Sequence, residues 1–223
     1  MYHIIVLNLQ RSIERKQLLE EQFKKLQLTN YTFFPCFDGK DNINMSFFVP
    51  IIKGTGLGRK LERNEIAIIM SHIAALKHAQ IMQYDNVVIL EDDVVLCEDW
   101  RKRLDILFNI LPEDWEYVYL AGHSDFVQLP MFETPAVIKA PRMTGAFSYM
   151  VNKRGLDKVV KYGAEFVTTY DDMINLKIVT GKLNGYYLAP FMTYHRDSIS
   201  TLWEGVPSLN HPSIKYFKNK LDD

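Results

Sequence analysis

Short apolar runs, too short for helices, alternate with longer segments of helical periodicity, and this alternation limits the possible folds more than any other feature. Residues 3–8 are rich in Ile and Val without polar alternation, which is typical of a strand covered on both faces of a sheet. A helical pattern capped at Ser12 follows, and then an aromatic run at residues 31–37. A strand, a helix and a second strand in this order predict a parallel pair and an α/β fold.

The alternation continues as far as residue 189, without an internal repeat or a low-complexity linker. We therefore predict a single domain over residues 1–223. The further predicted elements are a helix capped at Asn64, a strand at 86–90, a helix capped at Asp99, strands at 117–120 and 145–151, a helix capped at Asn152, a helix at 171–179 and a strand at 186–189.

The balance of charge limits the class of partner. The chain has 26 Lys and Arg against 27 Asp and Glu, which argues against a surface that binds nucleic acid. There is no basic leader and no apolar run of membrane-spanning length, and Cys36 and Cys97 are read as free thiols. We expect a soluble cytoplasmic protein with at most peripheral membrane contact, through Lys215, Lys218 and Lys220.

Residues 40–62 carry a proline and three alternating glycines without clear periodicity. A long loop of this kind is usually functional, and we interpret it as a lid over a substrate. The alternative is a phosphate-cradling loop, but the strand-to-helix context and the Lys-Ser/Thr pair of a P-loop are missing.

Three consecutive acids, Glu91, Asp92 and Asp93, follow the apolar run at 86–90. Close carboxylates repel one another, and a bound cation would offset that cost. Ligands of open α/β sheets bind at this end of the strands, and Mg²⁺ or Mn²⁺ needs one or two carboxylates besides water and substrate phosphates. The triplet therefore indicates a metal site, or alternatively a hydrated acidic turn. If extended geometry continues through it, residues 91 and 93 face one side and residue 92 the other.

Two histidines are ambiguous. His195 follows the last predicted strand and is either a ligand of the same metal or a satisfied or surface histidine. His72 lies beside Ile69 and Ile73 on the apolar face of a predicted helix, where a packed core role and a functional role are both possible.

Blocks of residues distributed over nearly the whole chain carry a family resemblance. In order they are Val6-Leu7-Asn8-Leu9 with Arg11-Ser12 and Arg15, Phe37-Asp38-Gly39, Asn64-Glu65-Ile66-Ala67 with Ser71-His72, Ile89-Leu90-Glu91-Asp92-Asp93-Val94, Thr144-Gly145-Ala146-Phe147, Lys153-Arg154-Gly155, Tyr170-Asp171-Asp172, and Pro190 with Ser198-Ile199. Together these blocks resemble glycosyltransferase family 25. The chain departs from the family pattern at Ala67, where Gly is usual, and at His195, where Gln is more frequent.

The resemblance implies a GT-A fold, with a mainly parallel central sheet and helices on both faces. It also implies the inverting transfer of a hexose, galactose or glucose, from a UDP-sugar with the help of Mn²⁺ or Mg²⁺. The family includes bacterial lipooligosaccharide galactosyltransferases and procollagen galactosyltransferase domains. The acceptor is accordingly expected to be a glycan, a glycolipid or a hydroxylysine-type group.

Site residues follow from the same resemblance. Asp93 would bind the metal, with Glu91 as a further ligand. His195 is the third candidate ligand because of its position after the last predicted strand, and not because of the resemblance. Asp171 would be the catalytic base, with Asp172 the next candidate, although two acids at a helix N-terminus are also what the helix dipole favours. The residues expected to bind the nucleotide sugar are Asn8, Arg11, Arg15, Glu91 and Asp92, of which Asn8 and Arg11 are equally well read as helix-entry residues.

Two other functions fit strand-end acids. One is a metal-dependent nucleotidyltransferase or phosphohydrolase, which would release pyrophosphate or phosphate rather than intact UDP. The other is a module that binds a nucleotide sugar without turning it over.

Overall fold

The computed structural model describes residues 1–41, 61–122, 134–166 and 168–196. Most of the predicted lid, residues 42–60, lies outside these ranges. So do Ser198 and Ile199 of the family pattern and the basic segment with Lys215, Lys218 and Lys220.

The described ranges contain one large sheet, a separate two-stranded ribbon and five helices. The strands of the large sheet are β1 (His3–Asn8), β2 (Tyr31–Pro35), β3 (Asn86–Glu91), β5 (Tyr117–Tyr119), β6 (Ala136–Lys139), β7 (Ser148–Asn152) and β8 (Gly185–Ala189). The ribbon consists of β4 (Val94–Leu96) and β9 (Thr193–His195). The helices are α1 (Ile13–Lys25), α2 (Arg63–Ile81), α3 (Trp100–Ile110), α4 (Lys153–Gly163) and α5 (Tyr170–Val179).

The large sheet is mixed and mainly parallel. Its strands lie in the order β2-β1-β3-β7-β5-β8-β6. β1 is parallel to β2 and β3, and β5 is parallel to β8, whereas β7 is antiparallel to both β3 and β5. β6 pairs antiparallel with β8 at one end. The predicted parallel pair of β1 and β2 is confirmed, and so is the mainly parallel sheet.

Both faces of the sheet are buried. In β1, Ile5 and Leu7 belong to a core with α2, α4 and α5, while Ile4 and Val6 belong to a second core with α1 and α3. Because successive side chains of a strand point to opposite faces, the unbroken apolar run supplies both cores. The prediction of helices on both faces, as in the GT-A fold, is confirmed.

The helix starts agree only partly with the predicted caps. Asn152 caps α4 as predicted, and its side chain accepts a hydrogen bond from the Gly155 N–H at 2.8 Å. The prediction that Asn64 caps α2 is wrong. Glu62 is the N-cap of α2 and forms a capping box with Glu65, in which two carboxylates satisfy two free N–H groups reciprocally.

Ser12 and Asp99 stand at the predicted N-cap positions, but their side chains do not cap the helices. Asp99 instead accepts a hydrogen bond from Arg103 at 2.8 Å. Within the described ranges, no helix combines the length and apolar character that a membrane crossing would require.

Candidate active site

Polar side chains from several elements meet at one edge of the large sheet, where the parallel strands β1, β3 and β5 end. Because β7 runs in the opposite direction, the segment before it, residues 145–147, reaches the same edge. The predicted site residues that the structure joins by direct contacts here are Asn8, Arg15, Asp92, Asp93 and His195.

Asp92 is buried and held from two sides. Asn8, the last residue of β1, donates from Nδ2 to Asp92 Oδ2 at 2.8 Å, and Arg15 donates from α1 to Oδ1 at 3.0 Å. Burial raises the pKa of Asp92 and the charge of Asp93 adds to this effect, while Arg15 and Asn8 oppose it. Asn8 and Arg15 therefore act on the acids, and Asn8 also contacts the entry of α1 by donating to the Ser12 carbonyl at 3.2 Å.

Asp93 is bracketed by Arg15 at 3.4 Å and by His195 Nδ1 at 3.5 Å. The ribbon positions the histidine, since Val94 pairs with His195 and the Arg196 N–H donates to the Asp93 carbonyl at 2.7 Å. Burial alone would raise the pKa of Asp93, but His195 and Arg15 outweigh it and lower that pKa. Burial alone would lower the pKa of His195. The hydrogen bond and the charge of Asp93, together with the charge of Glu91, outweigh burial and raise that pKa.

Glu91 is the last residue of β3, and residues 92 and 93 form a turn into β4. Extended geometry does not continue through the triplet, because the backbone turns after Glu91, so the condition for the expected alternation is not met. Burial, followed by the charge of Asp93, raises the pKa of the Glu91 carboxyl. Oε1 of Glu91 lies 3.4 Å from His72 Nε2. His72 itself is buried, so its packed position in the core is confirmed.

Asp171 and Asp172 lie in the first turn of α5. Asp171 reaches away from its own helix, and its Oδ2 accepts a hydrogen bond from the Gly145 N–H at 3.2 Å. Gly145 has a φ of 91°, a conformation that glycine adopts at little cost. Asp172 lies 4.0 Å from Arg142, and burial, together with the charge of Asp171, raises its pKa. The negative charge of Asp171 also contributes to the raised pKa of Glu91, which places it near the strand-end acids.

A pocket of about 550 Å³ opens beside these acids, over the ends of β1 and β2. Arg11 faces this pocket rather than the acids, and its Nε donates to Asp38 Oδ2 at 2.5 Å. The predicted site residues thus divide between the acids and the pocket. The pocket is lined by Leu9, Gln10, Arg11, Pro35, Cys36, Phe37, Asp38 and Asp41.

The fit of a divalent metal can be judged from the donor atoms. In the described part of the chain, no three His, Cys, Asp or Glu side chains converge as a preformed metal site. Oδ1 of Asp93, however, is buried, and His195 Nδ1 lies 3.5 Å from it, at the limit of a hydrogen bond. A cation that binds together with substrate phosphates needs only one or two carboxylates, so Asp93 fits such an ion. The larger ligand set with Glu91 and His195 stays a prediction.

Sequence reasoning missed several contacts of the site. Phe147 packs against His195 with ring centroids 3.8 Å apart, and Asp38 pairs with Arg11. Both residues stand in the family blocks, which was the available signal. Tyr170, which stacks on His72, also stands in a family block. Tyr149, which contacts His72 as well, gave no signal, since an aromatic residue in a strand usually packs in a core.

Comparison with known proteins decides the family. A model described as "Glycosyltransferase family 25 (LPS biosynthesis protein)" matches residues 1–174. The chain belongs to glycosyltransferase family 25. Its family resemblance is therefore confirmed.

A family relative is the human protein "Procollagen galactosyltransferase 2", 26% identical over 108 residues. The match covers 46% of this chain but only 17% of the human protein. Among solved structures, A197 from STIV has a TM-score of 0.51 at 15% identity, covering 95% of this chain and 96% of that one. This likeness shows a shared fold. The galactosyltransferase LgtC, solved with donor and acceptor sugar analogues, has a TM-score of 0.48 at 12% identity and covers 98% of this chain and 94% of its own.

Proposed function

We propose that this family 25 member transfers a hexose, galactose or glucose, from a UDP-sugar to a hydroxyl group, with inversion and with Mn²⁺ or Mg²⁺ as cofactor. The acceptor would be a glycan, a glycolipid or a hydroxylysine-type group. One observation carries the proposal: a buried carboxylate oxygen, Asp93 Oδ1, whose His195 partner is 3.5 Å away, lies in the turn after β3, near a pocket over the ends of β1 and β2. That arrangement suits a cation shared between the protein and a diphosphate.

The pocket over β1 and β2 is the proposed place of the nucleoside. A cavity of about 550 Å³ is in the range that accommodates a small ligand. Arg11 is held on its wall by Asp38, where a guanidinium can bind a phosphate oxygen or a polar edge of the base. Since Leu9 of the pocket directly follows Asn8, the diphosphate would extend from the pocket toward Asp92 and Asp93.

Asp93 would hold the metal, with Glu91 and His195 as the further ligands. A bound divalent ion would stabilise the negative charge that develops on the departing diphosphate. Arg15 and Asn8 fix Asp92 in place, and Arg15 also neutralises part of the charge on both aspartates. These two residues thereby keep the acids close together before the donor arrives.

Asp171 is the proposed general base. In a single displacement the acceptor oxygen bonds to the anomeric carbon while the bond from that carbon to the UDP oxygen breaks. The acceptor proton passes to the Asp171 carboxylate, and the electron pair leaves with UDP. The Gly145 N–H orients Asp171 through one of its two oxygens. Asp172, with its raised pKa, is the second candidate.

A screen of UDP-sugars for metal-dependent hydrolysis tests the function without knowledge of the acceptor. Release of intact UDP that stops on addition of a chelator is the expected result. Release of pyrophosphate or phosphate instead would indicate a nucleotidyltransferase or phosphohydrolase. Nucleotide binding by calorimetry without any turnover would indicate a binding module.

The role of Asp171 is tested by Asp171→Asn. We expect UDP affinity within a few-fold of the wild-type value and a transfer rate lower by roughly 100-fold, the usual contribution of a general base. Asp157→Asn, an exposed change of the same chemistry on α4, is the matched control. Normal transfer by Asp171→Asn would move the base to Asp172.

A further inference from the structure

A chain of buried polar side chains runs from α5 to the end of β3. The hydroxyl oxygens of Tyr170 and Tyr149 lie 2.9 Å apart, and the Tyr149 hydroxyl lies 3.0 Å from His72 Nδ1. On the other side of the ring, His72 Nε2 lies 3.4 Å from Glu91 Oε1. His72 is 1% exposed and the two tyrosines are 2% exposed or less. The chain therefore connects the protein interior with an acid of the site.

The packing fixes the plane of the His72 ring. It stacks on Tyr170 with centroids 4.2 Å apart and planes at 14°, and on Tyr149 at 5.8 Å and 23°. Both ring nitrogens consequently have set directions. Nε2 is buried and has no hydrogen-bond partner among the described residues, with the Glu91 carboxylate as the group that it faces. Such an unpaired group is unfavourable, so packing alone would be served better by an apolar ring.

The tautomer follows from the same contacts. A ring that is 1% exposed and stacked between tyrosines is neutral and carries one N–H, because burial disfavours the charged form. If Tyr170 donates to Tyr149 and Tyr149 donates to Nδ1, the proton lies on Nε2 and points at Glu91.

Glu91 needs such a partner because its surroundings are negative. Asp92, Asp93 and Asp171 all act on it as like charges. Its side chain is 29% exposed, so it has room to rotate toward water and away from them. A donor fixed behind the carboxylate would oppose that rotation.

We propose that His72 is a positioning residue, which holds the Glu91 carboxylate in the site through a hydrogen bond from Nε2–H that shortens when the donor sugar binds. The kinetic part of this inference rests on the proposed function, in which Glu91 takes part in binding the donor and its metal. Hydrogen bonds of active sites are often long before substrate binds, which agrees with the 3.4 Å separation.

Two substitutions separate positioning from packing. His72→Phe keeps a flat ring for stacking on Tyr170 but removes the donor. His72→Gln can place an amide N–H near the position of Nε2. In crystal structures without ligands we expect Glu91 to rotate toward solvent in His72→Phe and to stay in His72→Gln. An unmoved Glu91 in His72→Phe, at an unchanged melting temperature, would overturn the proposal whatever the enzyme's substrate is.

Kinetics complete the test through a double-mutant cycle with Glu91→Gln. We expect His72→Phe to lower kcat/KM for the UDP-sugar roughly 10- to 30-fold, the scale of a residue that orients a ligand of the site. His72→Gln should recover most of that loss. The double variant His72→Phe with Glu91→Gln should be no worse than Glu91→Gln alone, because His72 acts only through Glu91.

A control on the same helix is His78→Phe, for which no change is expected. Additive losses in the cycle would show that His72 acts on the fold and not through Glu91, and would overturn the proposal. If Glu91→Gln itself left both UDP binding and turnover unchanged, the proposed use of Glu91 would be wrong. In that case the position of Glu91 in the two crystal structures still decides whether His72 holds it.

Discussion

Two buried carboxylate clusters lie at opposite edges of the same sheet and are built in opposite ways. One surrounds Glu116, directly before β5, and the other includes the buried acids Asp92 and Asp93, which follow the end of the parallel strand β3. In the first, the carboxylate is fully paired with groups of the protein. In the second, the acids have fewer donors and cations than they could use.

Glu116 has a partner for each oxygen. Lys158 lies 2.6 Å from Oε1, and the Asn184 N–H donates to Oε2 at 2.9 Å. The Glu116 carbonyl accepts the Asn152 N–H at 3.3 Å. Gly155 packs so closely on this carbonyl that a Cβ would collide with it. Such a cluster joins α4 to β5 and β8, and nothing in its geometry provides for a ligand.

At the other edge, Arg15 pairs with both Asp92 and Asp93, and the ring of His195 lies 3.5 Å from Asp93. Glu91 lies 3.4 Å from the buried His72 ring. Burial and like charge raise the pKa values of both Glu91 and Asp92. Repulsion between these carboxylates is unfavourable to folding. Such acids are retained where they bind a cationic ligand. Both sites bury carboxylates, so burial itself does not distinguish a functional acid from a structural one. The distinction is whether donors and cations of the protein pair with every carboxylate oxygen.

The largest difference is expected when the same Glu→Gln substitution is made at both edges of the sheet. Glu116→Gln should lower the free energy of unfolding by about 2 kcal/mol, because Lys158 loses its counter-charge and one hydrogen bond is weakened. Glu91→Gln should raise it by about 1 kcal/mol at neutral pH without metal, because burial and Asp93 oppose the ionised form. Urea denaturation measures both values.

The reference for that pair is Glu20→Gln on α1. Glu20 is 44% exposed and pairs with Lys16 at 3.9 Å, so a change within about 0.5 kcal/mol is expected. Equal losses of stability at positions 91 and 116 would mean that the two clusters do not differ as described.

The next effect is on ligand binding. Asp93→Asn should weaken Mn²⁺-dependent binding of UDP by roughly 30-fold, because the metal loses its proposed carboxylate. A chelator should have the same effect on the wild type and none on the variant, as isothermal titration calorimetry can show. Asp105→Asn, an exposed change on α3, should bind like the wild type. Undiminished Mn²⁺ dependence in Asp93→Asn would remove Asp93 from the metal site.

A smaller effect is expected when the cation shared by the two aspartates is removed. Arg15→Met should cost about 1 kcal/mol of stability at low salt, since Asp92 and Asp93 then repel each other without compensation. Mg²⁺ or Mn²⁺ alone should raise the melting temperature more in this variant than in the wild type. Lys24→Met, an exposed change on α1, serves as the control. Identical metal responses would show that Arg15 does not compete with a cation.

The last prediction concerns the alkylation rates of the two thiols. Burial raises the pKa of Cys36 and of Cys97 to about 12, and the charges of Glu91 and Asp92 contribute at Cys36. A raised thiol pKa means little thiolate at pH 8, so alkylation should be on the order of 100-fold slower than in urea, and faster as the pH rises.

UDP with Mn²⁺ should slow the alkylation of Cys36 further, because Cys36 lines the pocket, and should leave Cys97 unchanged. The variants Cys97→Ala and Cys36→Ala allow each thiol to be followed by mass spectrometry. Protection of Cys97 instead would place the nucleotide elsewhere.

The sequence predicted the long elements of the fold because their periodicity is strong. The strands at residues 4–7 and 87–90 are unbroken apolar runs, and they bring Asn8 and the acid triplet to one sheet edge. That placement follows from pattern and topology, whereas the burial of Asp92 and Asp93 is a finding of the structure. The roles of Arg15 and Asp171 came from family resemblance, and the structure adds their contacts with Asp92, Asp93 and Gly145.

The remaining parts had no local signal. β4, β6 and β9 have three or four residues each, too few for a period to show, and β4 follows directly on the acids. The sequence left the turn at residues 92 and 93 as one of two alternatives, because a carboxylate triplet fits an extended chain as well as an acidic turn. Partners such as Tyr149 for His72 are 77 residues apart, and only the packing of α2 on the sheet joins them.

The position of β7 at the centre of the sheet has a consequence for synthesis on the ribosome. β1, β2 and β3 are complete once residue 91 has emerged. One side of β3 pairs with β1, but its other side pairs with β7, which is made about 60 residues later. At about 5–20 residues per second, the nascent chain exposes an unpaired apolar strand edge for several seconds. Slow codons between these strands would lengthen that interval and favour aggregation before the sheet can close.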